Sequence, residues 1–115
     1  MIGSTRQVRV HAYGSPVDMR KGFDGLSALV ARERDVLAGD LFLFVSRNRH
    51  RAKVLFWDGT GLCVYAKRLE RGRFASLWEG RSDRLELTMS ELALFLEGSL
   101  LIGKISLSPP QLVTK

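Results

Sequence analysis

Three consecutive predicted strands, joined by two turns, lie within residues 41–67, LFLFVSRNRHRAKVLFWDGTGLCVYAK. The strands are Leu41–Val45, Lys53–Trp57 and Leu62–Lys67. The first is a continuous apolar run, which is typical of a strand buried on both faces. The polar stretch 46–51 and the Asp-Gly-Thr-Gly stretch 58–61 predict the turns. Because strands joined by short turns pair antiparallel, this segment predicts a β-meander.

A further strand is predicted near the N-terminus. Val8, Val10 and Ala12 alternate with Arg9 and His11. This period of two directs alternate side chains to opposite faces of a sheet, so we expect a half-buried strand.

A helix is predicted next, with two alternative starts. One start has Ser15 as N-cap and Pro16 in the first turn, and the other is Asp24. We expect the helix to end within residues 32–35 or at Gly39. The residues at helical spacing on its apolar face are Met19, Phe23, Leu26 and Val30.

Two short strands and a second helix are predicted after the meander. The strands fall near residues 73–78 and 84–87. Thr88 and Glu91 form an S/T-x-x-E capping box, and Gly98 is a natural helix end. The apolar residues of this helix are Met89, Leu92, Phe95 and Leu96.

These elements predict an α+β fold, in which an antiparallel β-meander sheet carries one helix from the N-terminal half and one C-terminal helix. We expect a single domain over residues 1–98 and a tail at 99–115, since a chain of 115 residues suits one domain. No apolar run approaches the roughly 20 residues of a membrane span, so we expect a soluble protein with no membrane partner.

The positive charge is concentrated in the middle of the chain. Between Ser46 and Ser82 lie nine basic and three acidic residues, which account for the whole net charge of +6. A three-stranded meander places the two basic clusters, 47–53 and 67–73, at the same end of the sheet. Arginine dominates both clusters, and its planar fork suits phosphate contacts. The sequence therefore predicts a nucleic-acid-binding surface made of Arg20, Lys21, Arg47, Arg49, Arg51, Lys53, Lys67, Arg68, Arg71 and Arg73.

A protein-binding surface is the alternative prediction. Trp57 and Trp78 are candidate interaction residues, because tryptophan and arginine are favoured interface anchors. Charged hairpin tips also occur simply because they are solvated. An exposed edge strand in so small a sheet allows a homodimer.

Catalytic and metal-ligating patterns are sparse. A lone cysteine, Cys63, excludes an internal disulfide and a multi-thiolate zinc site, and it fits a reducing compartment. Asp18, Asp24 and Asp58 form the weakest alternative, a metal-dependent nuclease site, although Asp18 also fits a helix start and Asp58 a turn. We therefore expect a protein that is not an enzyme, with no metal site and no cofactor.

Three motifs in the same order carry a resemblance to a known family. They are VDMRKGFDGL at 17–26, LFWDGTGLC at 55–63 and KRLERGRF at 67–74, followed by a similar segment at 85–98. With these motifs the chain resembles the small accessory TnpB proteins of the IS66 insertion-sequence family. It departs from the family pattern at residues 75–78 and in the tail at 99–115.

The resemblance implies a protein of the bacterial cytoplasm that assists DNA transposition beside a separate DDE-type transposase. The expected partners are DNA at the transposon ends, the cognate transposase and another transposon-encoded accessory protein. No catalytic residue follows from the resemblance. The basic clusters are expected to hold DNA; alternatively, the domain docks on the transposase without binding DNA directly.

Overall fold

The computed structural model describes residues 7–79 and 85–98, and this part of the chain is an α+β domain. Its strands are β1 (Val10–Ala12), β2 (Leu41–Val45), β3 (Arg51–Trp57), β4 (Leu62–Arg68) and β5 (Leu85–Leu87). Its helices are α1 (Phe23–Ala31), α2 (Met89–Glu97) and a short 3-10 helix at Val36–Ala38. The predicted α+β class is confirmed. The tail predicted at 99–115 lies outside the described residues.

The sheet has the order β4-β3-β2-β1-β5 and is mixed. The predicted meander of β2, β3 and β4 is confirmed, with both pairs antiparallel. The prediction of a purely antiparallel sheet is wrong, because β1 pairs parallel with β2. The connection between them contains α1 and is long enough for the crossover that a parallel pair needs. β5 then pairs antiparallel with the other side of β1.

Each face of the sheet is covered by one helix. On one face α2 contributes Leu92 and Phe95 to a core cluster, and on the other face α1 contributes Leu26 and Val30 to a second cluster. The sheet supplies alternate residues to the two clusters, as its pleat requires. Those on the α2 face are Val10, Ala12, Leu41, Leu43, Val45, Ala52, Val54 and Leu87; those on the α1 face are Phe42, Phe44 and Leu55.

Strand β1 is buried on both faces, so the prediction of a half-buried strand is wrong. Its only polar residue, His11, is 8% exposed and its ring stacks on Phe42. His11 Nε2 lies 2.8 Å from Asp40 Oδ2, which supplies the hydrogen bond that a buried imidazole requires. The strand is covered on both sides because it lies inside the sheet, between β2 and β5.

Helix α1 begins at Phe23, within one residue of the predicted start at Asp24. The start at Ser15 is wrong because the segment before Phe23 is not helical and is held against the end of β2. The amide of Val17 donates to the carbonyl of Val45, so it is not available for the capping bond that Ser15 would accept. Met19 therefore precedes the helix, and Phe23 is 52% exposed rather than part of the core.

The C-terminal elements follow the prediction more closely. Thr88 and Glu91 form both hydrogen bonds of the capping box, and α2 ends before Gly98. β5 confirms the described part of the strand predicted at 84–87. The strand predicted at 73–78 is wrong: apart from an isolated β-bridge at Arg73 this segment is irregular, and it inserts Phe74 and Leu77 into the core. Among the described residues, no helix is long and apolar enough to cross a membrane.

Candidate nucleic-acid interface

Two basic loops that are distant in sequence meet at one end of the sheet. The amide of Leu69 donates to the carbonyl of His50 over 2.8 Å, and the amide of Phe74 donates to the carbonyl of Arg49 over 2.8 Å. These bonds fix the β2–β3 turn against the segment that follows β4. We call the resulting surface the basic end of the sheet; its residues are Arg47, Arg49, Arg51, Arg68, Arg71 and Arg73.

The β2–β3 turn is held by its own polar groups. Ser46 Oγ donates to Asn48 Oδ1 and accepts from the amide of Arg51, and the same Asn48 oxygen accepts from the amide of His50. Arg49 has a φ of 63°, in the left-handed region. The turn is therefore built without its arginine side chains, which leaves them free for other contacts.

Arg51 and Arg68 lie directly opposite each other on β3 and β4. The hydrogen bond between Leu69 and His50 makes those two residues a hydrogen-bonded pair. The adjacent pair, Arg51 and Arg68, is therefore a non-hydrogen-bonded pair, the kind in which opposite side chains are closest. Like charges placed this way destabilise a sheet. Arg68 has an ion pair with Glu70 at 3.2 Å, but both side chains are exposed and such pairs contribute little. An anion bound between the two arginines would relieve this repulsion.

The remaining arginines of the basic end have no acidic partner. Within residues 7–79 and 85–98, no carboxylate lies within ion-pair distance of Arg47, Arg49, Arg51, Arg71 or Arg73. Arg47, Arg51, Arg71 and Arg73 are exposed. Their charge is therefore available to a ligand.

Two of the three predicted lysines of the site, Lys53 and Lys67, donate hydrogen bonds within the fold instead. Lys53 Nζ donates to the carbonyls of Met19 and Lys21 at 2.8 and 2.9 Å. Lys67 Nζ donates to the carbonyl of Leu96 at 2.7 Å, where a cation is favoured by the C-terminal end of α2. Both lysines stabilise the fold around the site: two of the three N–H donors of Lys53 and one of the three of Lys67 are committed to main-chain carbonyls.

Replacing Lys53 separates this structural role from binding. We expect Lys53→Met to lower the free energy of unfolding by about 1.5–3 kcal/mol, since hydrogen bonds from a charged donor are lost. The matched variant Arg51→Met removes an exposed charge and should stay within about 0.5 kcal/mol of the parent. Urea unfolding of both variants checks this. A Lys53→Met protein as stable as the parent would contradict the role.

Arg20 and Lys21 lie beside Lys53 on the α1 side of the sheet, and they differ in charge compensation. Arg20 Nη2 and Nε bond to the carboxylate of Asp18, the shorter contact being 2.8 Å. Hydrogen bonding from Arg20 holds the pKa of Asp18 well below its usual range. Lys21 is exposed, and none of the ion pairs described for residues 7–79 and 85–98 involves it. Lys21 is thus the better candidate for a contact next to the basic end.

The two tryptophans are less accessible than their role as interface anchors requires. Trp78 is half-buried and packs against the α2-side core. Trp57 is half-buried at the far end of β3 from Arg51, about 20 Å along the strand. The exposed aromatic residues are Phe23, which helical spacing had placed on the apolar face of the first helix, and Tyr65 in β4. Their position at a helix start and in an edge strand was the available signal.

Comparison with known proteins identifies the family of this chain. The family model described as IS66 Orf2 like protein matches residues 8–103. The chain belongs to the IS66 Orf2-like family. The family is associated with insertion sequences.

Two curated relatives come from Sinorhizobium fredii (strain NBRC 101917 / NGR234). This IS66 Orf2-like chain is 41% identical to "Uncharacterized protein y4jC" over 64% of its own length and 65% of that protein. It is 35% identical to "Uncharacterized protein y4hO" over 85% of its own length and 86% of that protein. The chain thus spans slightly less than two thirds of the first relative. No solved structure matches.

The family motifs map onto the site and its supports. The motif at 17–26 contains Asp18, Arg20 and Lys21, and the motif at 67–74 forms half of the basic end. The motif at 55–63 instead covers the end of β3, the β3–β4 turn and the start of β4. Asp58 accepts from the amides of Thr60 and Gly61, which lowers the pKa of Asp58 to about 2.

The three carboxylates of the nuclease alternative do not assemble. Asp18 is committed to Arg20, and Asp58 is committed to its turn. Partial burial, with Asp58 nearby, raises the pKa of the Cys63 thiol. In the described part of the chain, no three acidic, histidine or cysteine residues are grouped so that they could hold a metal ion.

Proposed function

We propose that this IS66 Orf2-like protein is a non-catalytic accessory factor of transposition that binds DNA through the basic end of the sheet. One observation carries the proposal: the 46–51 turn and the 69–74 segment are hydrogen-bonded together, and their arginines face no carboxylate among the described residues. The positive charges of these arginines therefore lie close together, and no carboxylate of the described residues neutralises them.

Phosphate is the DNA group that this surface suits. Guanidinium groups form paired hydrogen bonds with phosphate oxygens, and neutralising phosphates releases condensed counterions. The paired Arg51 and Arg68 offer two such groups side by side on one face. Lys21 extends the same face toward α1, because its carbonyl is bound to Lys53 next to Arg51.

Sequence readout is not expected from this geometry. Base edges are read by an element that enters a groove, and α1 has only nine residues with its apolar side packed on the sheet. We expect similar affinity for duplexes of different sequence. Specificity for transposon ends would then come from the transposase, which we propose as a partner together with another transposon-encoded protein.

Salt dependence tests the proposal. About five unneutralised arginines predict a slope of log K against log salt near −4.5 for duplex DNA. Fluorescence anisotropy at several salt concentrations, with a transposon-end duplex and a scrambled duplex, measures this slope. Undetectable binding at low salt, or a flat slope, would contradict it. In that case, capture by the cognate transposase would support the docking alternative, in which the basic end contacts an acidic protein surface.

A further inference from the structure

The outer edge of β4 is a long, regular strand edge. β4 has seven residues and is the last strand of the sheet, whereas the opposite edge strand, β5, has three. Within the described residues, only β3 pairs with β4. Such an edge is a template for pairing with another strand, and natural proteins commonly shorten or block it.

The hydrogen-bonding pattern shows which groups point outward. The Leu69–His50 bond makes residues 50 and 69 a hydrogen-bonded pair, and alternation then directs the main-chain groups of Cys63, Tyr65 and Lys67 toward β3. The bond from Asp58 to Gly61 follows the same alternation. The residues whose amide and carbonyl groups face outward are Leu62, Val64, Ala66 and Arg68.

Two side chains in the middle of this edge are also exposed. Tyr65 is 47% exposed, and Ala66 on the opposite face is exposed as well. The Tyr65 hydroxyl makes none of the side-chain hydrogen bonds found within the described residues. A large aromatic side chain in the middle of an open edge is therefore available to a partner.

We propose that β4 pairs antiparallel with β4 of a second copy, with Tyr65 on the two-fold axis. This register places Leu62 opposite Arg68 and Val64 opposite Ala66. It is the register that matches every outward-facing residue of one copy with an outward-facing residue of the other. About eight new main-chain hydrogen bonds result, two for each matched pair.

In the same register the exposed Tyr65 side chains of the two copies face each other, and no cationic side chain lies opposite another. Tyr65 meets its own copy in a non-hydrogen-bonded pair, the closest kind of cross-strand contact, and aromatic pairs stabilise sheets there. Lys67 lies opposite Cys63 and not opposite a cation. A parallel pairing would instead align the basic ends of the two strands side by side, which like-charge repulsion disfavours.

Site-directed crosslinking tests the register. With Cys63→Ser as background, Tyr65→Cys should form a covalent dimer with oxidised glutathione, because Cα atoms about 4.5 Å apart permit a disulfide. Thr60→Cys in the same background is the matched control, since this register keeps position 60 far from its copy. Comparable crosslinking at both positions would overturn the proposal.

Sedimentation of the full chain tests the edge itself. We expect a dimer at about 1–100 μM, and at least about tenfold weaker association for Ala66→Pro, which loses an outward N–H and fits an edge strand. Ala66→Val keeps the N–H and should remain dimeric. A monomeric parent protein, or a dimer unaffected by Ala66→Pro with normal circular dichroism, would overturn the proposal. None of these outcomes depends on DNA binding.

Discussion

Reversing two charges of the β2–β3 hairpin, one in its turn and one at the start of β3, should abolish most of the affinity for DNA. Each neutralised phosphate contributes about 0.9 log units of affinity per tenfold dilution of salt. At about 0.1 M salt, losing two contacts in Arg47→Glu plus Arg51→Glu weakens binding by about 60-fold, and repulsion raises the loss above about 100-fold. Anisotropy titration of the double variant against the parent measures this.

The fold should tolerate this double change. Both arginine side chains are exposed, and the glutamate at position 51 would lie opposite Arg68 and replace a repulsive pair by an attractive one. Arg32→Glu plus Arg34→Glu is the matched control, because it changes the net charge equally at the other end of α1. Equal losses in the two double variants would mean that only the net charge matters, and the basic end would lose its assigned role.

Removing the Phe74 ring should cause the largest loss of stability at the site. Phe74 is 1% exposed, and its ring stacks on Phe95 with centroids 5.3 Å apart. Its amide also bonds to Arg49, so it anchors the segment after β4 to the basic turn. We expect Phe74→Ala to lower the free energy of unfolding by about 3–5 kcal/mol. Urea unfolding followed by tryptophan fluorescence measures it.

A second core variant separates stability from positioning. Phe42→Ala removes a buried ring on the α1 side of the sheet, away from the segment after β4. Both variants keep every charge. At a temperature where both remain folded, we expect DNA affinity to fall several-fold more in Phe74→Ala than in Phe42→Ala. Unchanged affinity in Phe74→Ala would show that the loops do not need this anchor.

Local sequence signals predicted those elements that local chemistry controls. The meander follows from its turns, and the capping box at Thr88 marks α2 to the residue. The parallel pairing of β1 depends on packing between distant segments, which no local pattern encodes. The false start at Ser15 has the same cause, because the bond from Val17 to Val45 links residues that are far apart in sequence.

The sequence predicted where the candidate site lies, but it did not predict which residues make up the site. Because successive strands of the meander run in opposite directions, the two basic clusters lie at one end of the sheet. Main-chain hydrogen bonds join them there. The sequence could not show that the ammonium groups of Lys53 and Lys67 would donate hydrogen bonds to main-chain carbonyls. For Lys67 a signal existed. Residues two apart in a strand lie on the same face, so Lys67 shares a face with Tyr65, and this is the face that α2 covers.

Arg49 carries a conformational cost at the basic end of the sheet. A left-handed backbone at a residue with a side chain costs about 1–2 kcal/mol, a cost that glycine would avoid. A turn shaped by stability alone would favour glycine at this position. The turn thus holds a guanidinium at the basic end at the expense of backbone stability, so we expect laboratory selection for heat resistance alone to replace it.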